Sequence, residues 1–263
     1  MKIATLNQTK LVKSFNCLYG DCFYIEFENG KSILLDSGTT QVGPYITEWL
    51  LEMGVTSIDY FILTHLHEDH SGGFASVAEK ISISKVLSVE YGYDNSWSDQ
   101  NLPAVWKKFG ITPTPIRRGD DFSIGEVTVE ILWPMKDAPE KDNLNNQSLV
   151  MKITEGNFSA LFAADIPVEV EEKLVELDGE RLKSTFLKVP HHGRDVTSAK
   201  HLIEHAQPVL AYVCHYSCLP EVGERFKSKQ VPLYSPNDGT VTIEAKENEV
   251  RVYSDNGCFS FPI

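Results

Sequence analysis

The chain alternates short apolar, β-branched runs with amphipathic stretches of helical period along its whole length. Cys22–Phe27 and Ser32–Asp36 are two such runs around Glu28-Asn29-Gly30, a pattern that predicts a β-hairpin. Further strands are expected at Asp59–Thr64, Ile83–Val89, Val127–Trp133, Leu149–Thr154, Phe158–Ala163, Ser184–Val189, Val209–Cys214, Thr240–Glu244 and Val250–Ser254. Gly156-Asn157 supplies a second hairpin turn. Pro44–Met53 carries Ile46, Trp49, Leu50 and Met53 on one helical face. Val168–Leu177 turns Val170, Leu174 and Leu177 inward and its glutamates (Glu169, Glu171, Glu172, Glu176) toward solvent. Ser198–His205 and Glu221–Lys227 are shorter helical stretches. Strand pairs near both ends with helices between predict an α/β (α+β) fold of two packed sheets with helices outside. No linker or repeat divides the chain, so one domain over residues 1–263 is expected.

Composition is ordinary for a globular protein, with 42% hydrophobic and 23% charged residues, and excludes a disordered or collagen-like chain. Charge is more informative. Lys and Arg number 24 against 37 Asp and Glu, a balance of −13, so the whole chain supplies no basic footprint for duplex DNA. No apolar window reaches the roughly 18 residues of a membrane span. The stretch MKIATLNQTKLVKSF has neither the apolar core nor the cleavage site of a secretory signal. Cys17, Cys22, Cys214, Cys218 and Cys258 are odd in number and dispersed, as expected of reduced thiols in a cytoplasmic protein. Cys214-x3-Cys218 lacks the second pair a metal site would need and reads as structural thiol.

Chemistry concentrates in Ile62-Leu63-Thr64-His65-Leu66-His67-Glu68-Asp69-His70-Ser71-Gly72-Gly73. Four metal-competent side chains fall within six residues, between a β-branched strand and a helix opened by Gly72-Gly73. At a strand end the side-chain period of two turns His65 and His67 to one side. The following turn offers Asp69 and His70 as a second group. Imidazoles with carboxylates suit two zinc-like ions sharing a water. Five of the eight histidines lie here or in His191-His192-Gly193, which chance clustering does not explain.

His65-x-His67-x-Asp69-His70 with Gly72-Gly73 resembles the signature of the metallo-β-lactamase superfamily. The resemblance implies a four-layer αβ/βα sandwich and two divalent ions, with zinc first and manganese or iron as alternatives. Asp36, before Ser37-Gly38, resembles the carboxylate that supports the ligand loop. Asp165 resembles the carboxylate bridging both ions, and His191-His192-Gly193 the last ligand motif. Within the superfamily the nearest resemblance is to the hydrolase domain of the DNA-uptake competence protein ComEC and its soluble relatives. It runs through Gly20-Asp21-Cys22, Leu34-Leu35-Asp36-Ser37-Gly38, Arg118-Gly119-Asp120, Val129–Pro134, Asn145–Val150, Asp165-Ile166, Leu187–Gly193 and Asp238–Val241.

That resemblance implies a first ion held by His65, His67 and Asp165, and a second by Asp69, His70, Asp165 and His192. On an extended strand end, His191 and His192 would point opposite ways, so that only one ligates; His192 as ligand leaves His191 beside the substrate as a proton donor or phosphate contact, and the reverse assignment is the alternative. Asp69 would orient the attacking water or accept its proton. Lactamases and thioester hydrolases of this superfamily typically place a third histidine between Asp69 and Asp165. This chain has none between His70 and His191; Asn145–Ser148 takes that place. Asn146 and Ser148 are candidate substrate contacts, with turn formation as the alternative role, and His215 is a candidate rim residue.

The expected function is metal-dependent hydrolysis of a phosphodiester, small or single-stranded given the −13 charge. Hydrolysis of a lactone or thioester, or a non-catalytic metal-bound module, are the alternatives. Of the remaining features, Tyr91–Trp97 is an aromatic loop able to cover a cleft or to pack on itself. Lys107-Lys108 and Arg117-Arg118 are basic doublets with solvated surface as the default. His201 and His205 are a helix-surface pair.

Overall fold

The computed structural model describes residues 1–5, 20–89, 97–136, 143–196 and 198–263, and of residues 97–99 the backbone alone. Six strands come first: β1 (Lys2–Thr5), β2 (Phe23–Glu26), β3 (Ser32–Leu35), β4 (Ser57–Leu63), β5 (Ser82–Ser88) and β6 (Thr114–Pro115). They join the C-terminal β14 (Val241–Ala245), β15 (Glu249–Ser254) and β16 (Gly257–Pro262) in a nine-stranded sheet of order β16-β15-β14-β1-β2-β3-β4-β5-β6. The second sheet has seven strands in the order β13-β12-β11-β10-β9-β8-β7. These are β7 (Phe122–Ile124), β8 (Val127–Trp133), β9 (Val150–Glu155), β10 (Phe158–Phe162), β11 (Phe186–Lys188), β12 (Leu210–Tyr212) and β13 (Leu233–Tyr234).

In the central strands side-chain alternation meets two buried faces, which is why they read as unbroken apolar runs. Ile33 and Leu35 face the inter-sheet core while Leu34 faces helices; Ile62 and its neighbours Phe61 and Leu63 divide likewise, as do Ala160 and Leu161. Between the sheets, Phe23 meets Phe162 edge-on at 5.3 Å and Tyr212 at 5.8 Å, locking one sheet onto the other. Helices α1 (Gly43–Glu52), α3 (Phe74–Lys80) and α4 (Trp97–Phe109) cover the larger sheet through Ile46, Leu50, Phe74, Val77, Leu102 and Trp106. Helices α5 (Val168–Asp178), α6 (Leu202–Ala206) and α7 (Pro220–Ser228) cover the smaller one through Val170, Leu174, Leu202, Val222 and Phe226. One further short helix, α2 (Glu68–Ser71), belongs to the ligand loop. The four layers are those expected. Among the described residues no helix is long and apolar enough to cross a membrane.

Several local expectations are corrected. Leu177 is 48% exposed, since α5 rotates it beyond the buried stripe. Glu171, expected in water, is fully buried: its carboxylate accepts from the backbone amides of Ala199, His201 and Leu202 at 2.7, 3.0 and 3.4 Å. Those bonds hold 198–201 as turns, so the expected helix over Ser198–His205 shrinks to Leu202–Ala206. Helix α4 was not anticipated, although Leu102 and Trp106 have its spacing. Residues 91–96, the Trp97 side chain and Cys17 lie outside the described residues.

Both sheets end their parallel strands toward the same edge of the sandwich: β3, β4 and β5 in one, β10, β11 and β12 in the other. Loops leaving these carboxyl ends carry the polar residues, the position where α/β sheets place their sites.

Candidate metal centre

Asp36 follows β3 directly and sits in left-handed backbone at φ 58. Its Oδ1 accepts from the Thr64 amide at 2.8 Å and its Oδ2 from Thr64 Oγ1 at 2.7 Å, tying the ends of β3 and β4 together. The same Oδ2 meets His70 Nδ1 at 2.8 Å. On the other sheet, Pro190–Gly193 after β11 is a tight turn with His191 at φ 47 and His192 at φ 51. It is not an extended strand end, so the reasoning that separated the two histidines by strand alternation does not apply. The turn sends His192 into the cluster, its Nδ1 3.1 Å from Asp21 Oδ1.

With both Nδ1 atoms engaged by carboxylates, the two Nε2 atoms converge. They lie 3.4 Å apart. Asp165 Oδ2 is 3.2 Å from His70 Nε2 and 3.0 Å from His192 Nε2. Asp69 Oδ2 is 3.1 Å from His192 Nε2 and 3.8 Å from His70 Nε2. His65 Nε2 and His67 Nδ1 face each other at 3.0 Å, and the His65 ring centre is 4.0 Å from that of His70. The two donor groups read from the sequence therefore adjoin, and Asp165 lies at the His70–His192 group.

This donor set fits a divalent cation. Imidazole nitrogens and carboxylate oxygens are borderline-to-hard ligands suited to zinc, manganese or iron. Nε2 atoms 3.4 Å apart, each 3.0–3.2 Å from Asp165 Oδ2, are placed to share a proton or, in its place, a cation. Burial opposes charge on His70 and His192, yet Asp165 with the other carboxylates raises both well above the imidazole range. Burial and the neighbouring His70 instead push His65 well below that range, keeping it neutral and able to ligate.

Two residues given no role in the sequence reading complete the cluster. Asp21, at the end of the segment entering β2, has an oxygen within 4.8 Å of ligand atoms on His70, Asp165 and His192. Lys188, the last residue of β11, is 1% exposed and places Nζ 2.6 Å from Asp21 Oδ2 and 3.3 Å from Asp165 Oδ1. A lysine inside an apolar strand and an aspartate beside buried Cys22 were the available signals.

The candidate substrate residues take the following places. Asn145, one position before Asn146, sets Nδ2 3.4 Å from His191 Nε2. Asn146 uses its carbonyl to accept from Trp133 Nε1 at 2.6 Å. Ser148 is fully buried, with Oγ 3.5 Å from the Leu144 carbonyl. His215 is buried, its Nδ1 within 3.0 Å of the Ser217 carbonyl and its Nε2 3.5 Å from Arg194 Nη1. Burial and the Arg194 charge lower it to about 4, so it is neutral.

A family model for the metallo-β-lactamase superfamily matches residues 15–214. The chain belongs to the metallo-β-lactamase superfamily. It is 28% identical over 165 residues to ComE operon protein 3 of Bacillus subtilis, covering 63% of this chain and 21% of that protein. It is 26% identical over 238 residues to the uncharacterized protein YcaI of Escherichia coli, covering 86% of this chain and 29% of that protein. The chain thus spans less than a third of either relative. Among solved structures, the metallo-β-lactamase fold protein YhfI of Bacillus subtilis superposes with a TM-score of 0.56 at 12% identity, over 89% of this chain and 96% of that one. That likeness concerns the fold. The superfamily is generally hydrolytic and uses divalent metals.

Proposed function

We propose that this chain is a metal-dependent phosphodiesterase acting on small or single-stranded substrates, with His65, His67, Asp69, His70, Asp165 and His192 holding two divalent ions. The observation that carries the reading is the convergence of the His70 and His192 Nε2 atoms on Asp165 Oδ2, with His65 and His67 adjoining. Ions bound there would act as Lewis acids and lower the pKa of water. The chain's own groups do the rest. Asp36 fixes the tautomer of His70 by its hydrogen bond at Nδ1, and Asp21 sets its charge 3.1 Å from the Nδ1 of His192. Asp69, which its histidine neighbours hold ionised against the cost of burial, orients the attacking water or transiently accepts its proton. His191, beside Asn145, faces the leaving group.

Phosphodiester chemistry is favoured over lactones or thioesters by Asn145–Ser148 standing where those hydrolases supply a third histidine, which leaves room for substrate oxygens. The resemblance to ComEC-type hydrolase domains points the same way, and the −13 charge disfavours duplex DNA. Turnover of bis-p-nitrophenyl phosphate by zinc- or manganese-loaded protein, beside Asp165→Ala and with lactone and thioester substrates in parallel, tests the proposal. Metal-dependent turnover of the phosphodiester alone, lost in the variant, is expected. Preference for a lactone or thioester would overturn the substrate class, and no turnover of any ester would favour a non-catalytic module.

A further inference from the structure

A buried lysine needs anions around it, and Lys188 has two besides the Ala164 carbonyl. Its Nζ donates to Ala164 O at 2.6 Å and pairs with Asp21 Oδ2 at 2.6 Å and Asp165 Oδ1 at 3.3 Å. Each contact bears on the cluster by a separate route. Asp165 Oδ1 is the oxygen other than the one facing His70 and His192, which is Oδ2. Asp21 presents its other oxygen, Oδ1, to His192 Nδ1. Ala164, at φ 42, is the left-handed residue that turns the chain into Asp165, and its carbonyl also accepts from the His191 amide at 3.0 Å.

Asp21 is close enough to His70, Asp165 and His192 to act as a ligand itself. It lies on the Nδ1 side of both imidazoles, 3.1 Å from that of His192 and 4.0 Å from that of His70. We propose that Lys188 and Asp21 form one positioning unit. The ammonium holds Asp21 as the ion-pair partner of His192 Nδ1, keeps that carboxylate out of the ligand shell, and fixes Asp165 so that one oxygen faces the histidines. Without the ammonium, Asp21 loses its shortest ion pair while keeping an oxygen within 4.8 Å of ligand atoms on His70, Asp165 and His192. The assignment rests on His70 and His192 holding an ion.

Cobalt(II) titration of the full chain, followed by visible d–d absorption and by competition with a chelator, tests it. Lys188→Met and Asp21→Asn are each expected to weaken binding roughly 10- to 100-fold, the range for groups that orient ligands. The double variant is expected to lose no more than the worse single one, because the two act as a unit. The cobalt band is expected to change in Lys188→Met alone, where Asp21 is free to enter the shell, and to return toward wild type in the double variant. Multiplicative losses, or a folded Lys188→Met with wild-type band and affinity, would overturn the proposal. Lys188→Gln, which keeps a donor for Ala164, serves if Lys188→Met does not fold. A wild-type chain that binds no cobalt would overturn the metal centre itself, an outcome separate from the variant pattern.

Discussion

Asp36 Oδ2, just past the end of β3, and His70 Nδ1, in the short helix α2, are 2.8 Å apart, both groups wholly buried. One carboxylate thereby sets the ring orientation of a histidine 34 positions later and also accepts from the Thr64 amide and hydroxyl. Asparagine tolerates left-handed backbone well, so Asp36→Asn keeps the turn while removing the charge. The variant is expected to fold and to bind zinc 10- to 100-fold more weakly. Competition against a chromophoric chelator, with circular dichroism for the fold, checks this; unchanged affinity would deny Asp36 a supporting role.

The two adjacent histidines should separate by assay. His192→Gln is expected to lose one zinc per chain, since His192 faces Asp69, Asp165 and His70. His191→Gln is expected to retain its metal while turnover of bis-p-nitrophenyl phosphate falls by roughly 10²–10⁴, the usual contribution of a general acid. Metal analysis after gel filtration, paired with kinetics, decides. Loss of metal in His191→Gln would exchange the two assignments.

Gly73 lies where α1, α3 and the Ser37 turn meet. A Cβ there would stand 2.1 Å from the Ser37 carbonyl oxygen and 2.9 Å from the Gly43 Cα, backbone atoms that cannot move aside cheaply. Gly73→Ala is expected to destabilise by about 3 kcal/mol, the upper end for overpacking. A urea midpoint equal to wild type would show that the helices part without cost.

Glu171 predicts a pH effect remote from the metal centre. Burial raises its carboxyl from 4.5 to about 7, against the amides of His201, Ala199 and Leu202 that favour the charged form. Between those values the folded chain holds a proton the unfolded chain has lost. Its contribution to stability therefore falls as pH rises from about 4.5 to about 7, by up to roughly 3 kcal/mol. The difference in urea stability between wild type and Glu171→Gln, taken from pH 5 to 8, should follow that slope. Parallel curves for the two proteins would contradict it.

What the sequence discloses about the site follows from whether the information is local. His65-x-His67-x-Asp69-His70 is readable because its donors share one turn, and Asp36 and Asp165 because each ends an apolar strand. Asp21 and Lys188 are opaque because their meaning arises only where β2, β10 and β11 pack together. The approach of Asn145 to His191 depends on the rotation of a single 3-10 turn, Leu144–Gln147. The fold divides in the same way. Core strands and α1 announce themselves by periodicity, whereas β6 and β13, two residues each, exist through pairing with β5 and β12. Glu171 defeated the solvent assignment because its partners are backbone amides of a distant loop.

Asp36, Ala164, His191 and His192 are four non-glycine residues in left-handed backbone, and each ends or follows a strand that delivers a donor. Such conformations cost a non-glycine residue of order 1 kcal/mol or more, and β-branched side chains most. These positions are thus filtered twice over evolutionary time, once by chemistry and once by backbone shape. A saturation library sorted only for folded protein would already discard Val, Ile and Thr there and spare Gly, Asn and Asp. Part of the invariance that comparison of related chains would credit to catalysis therefore belongs to the turns themselves.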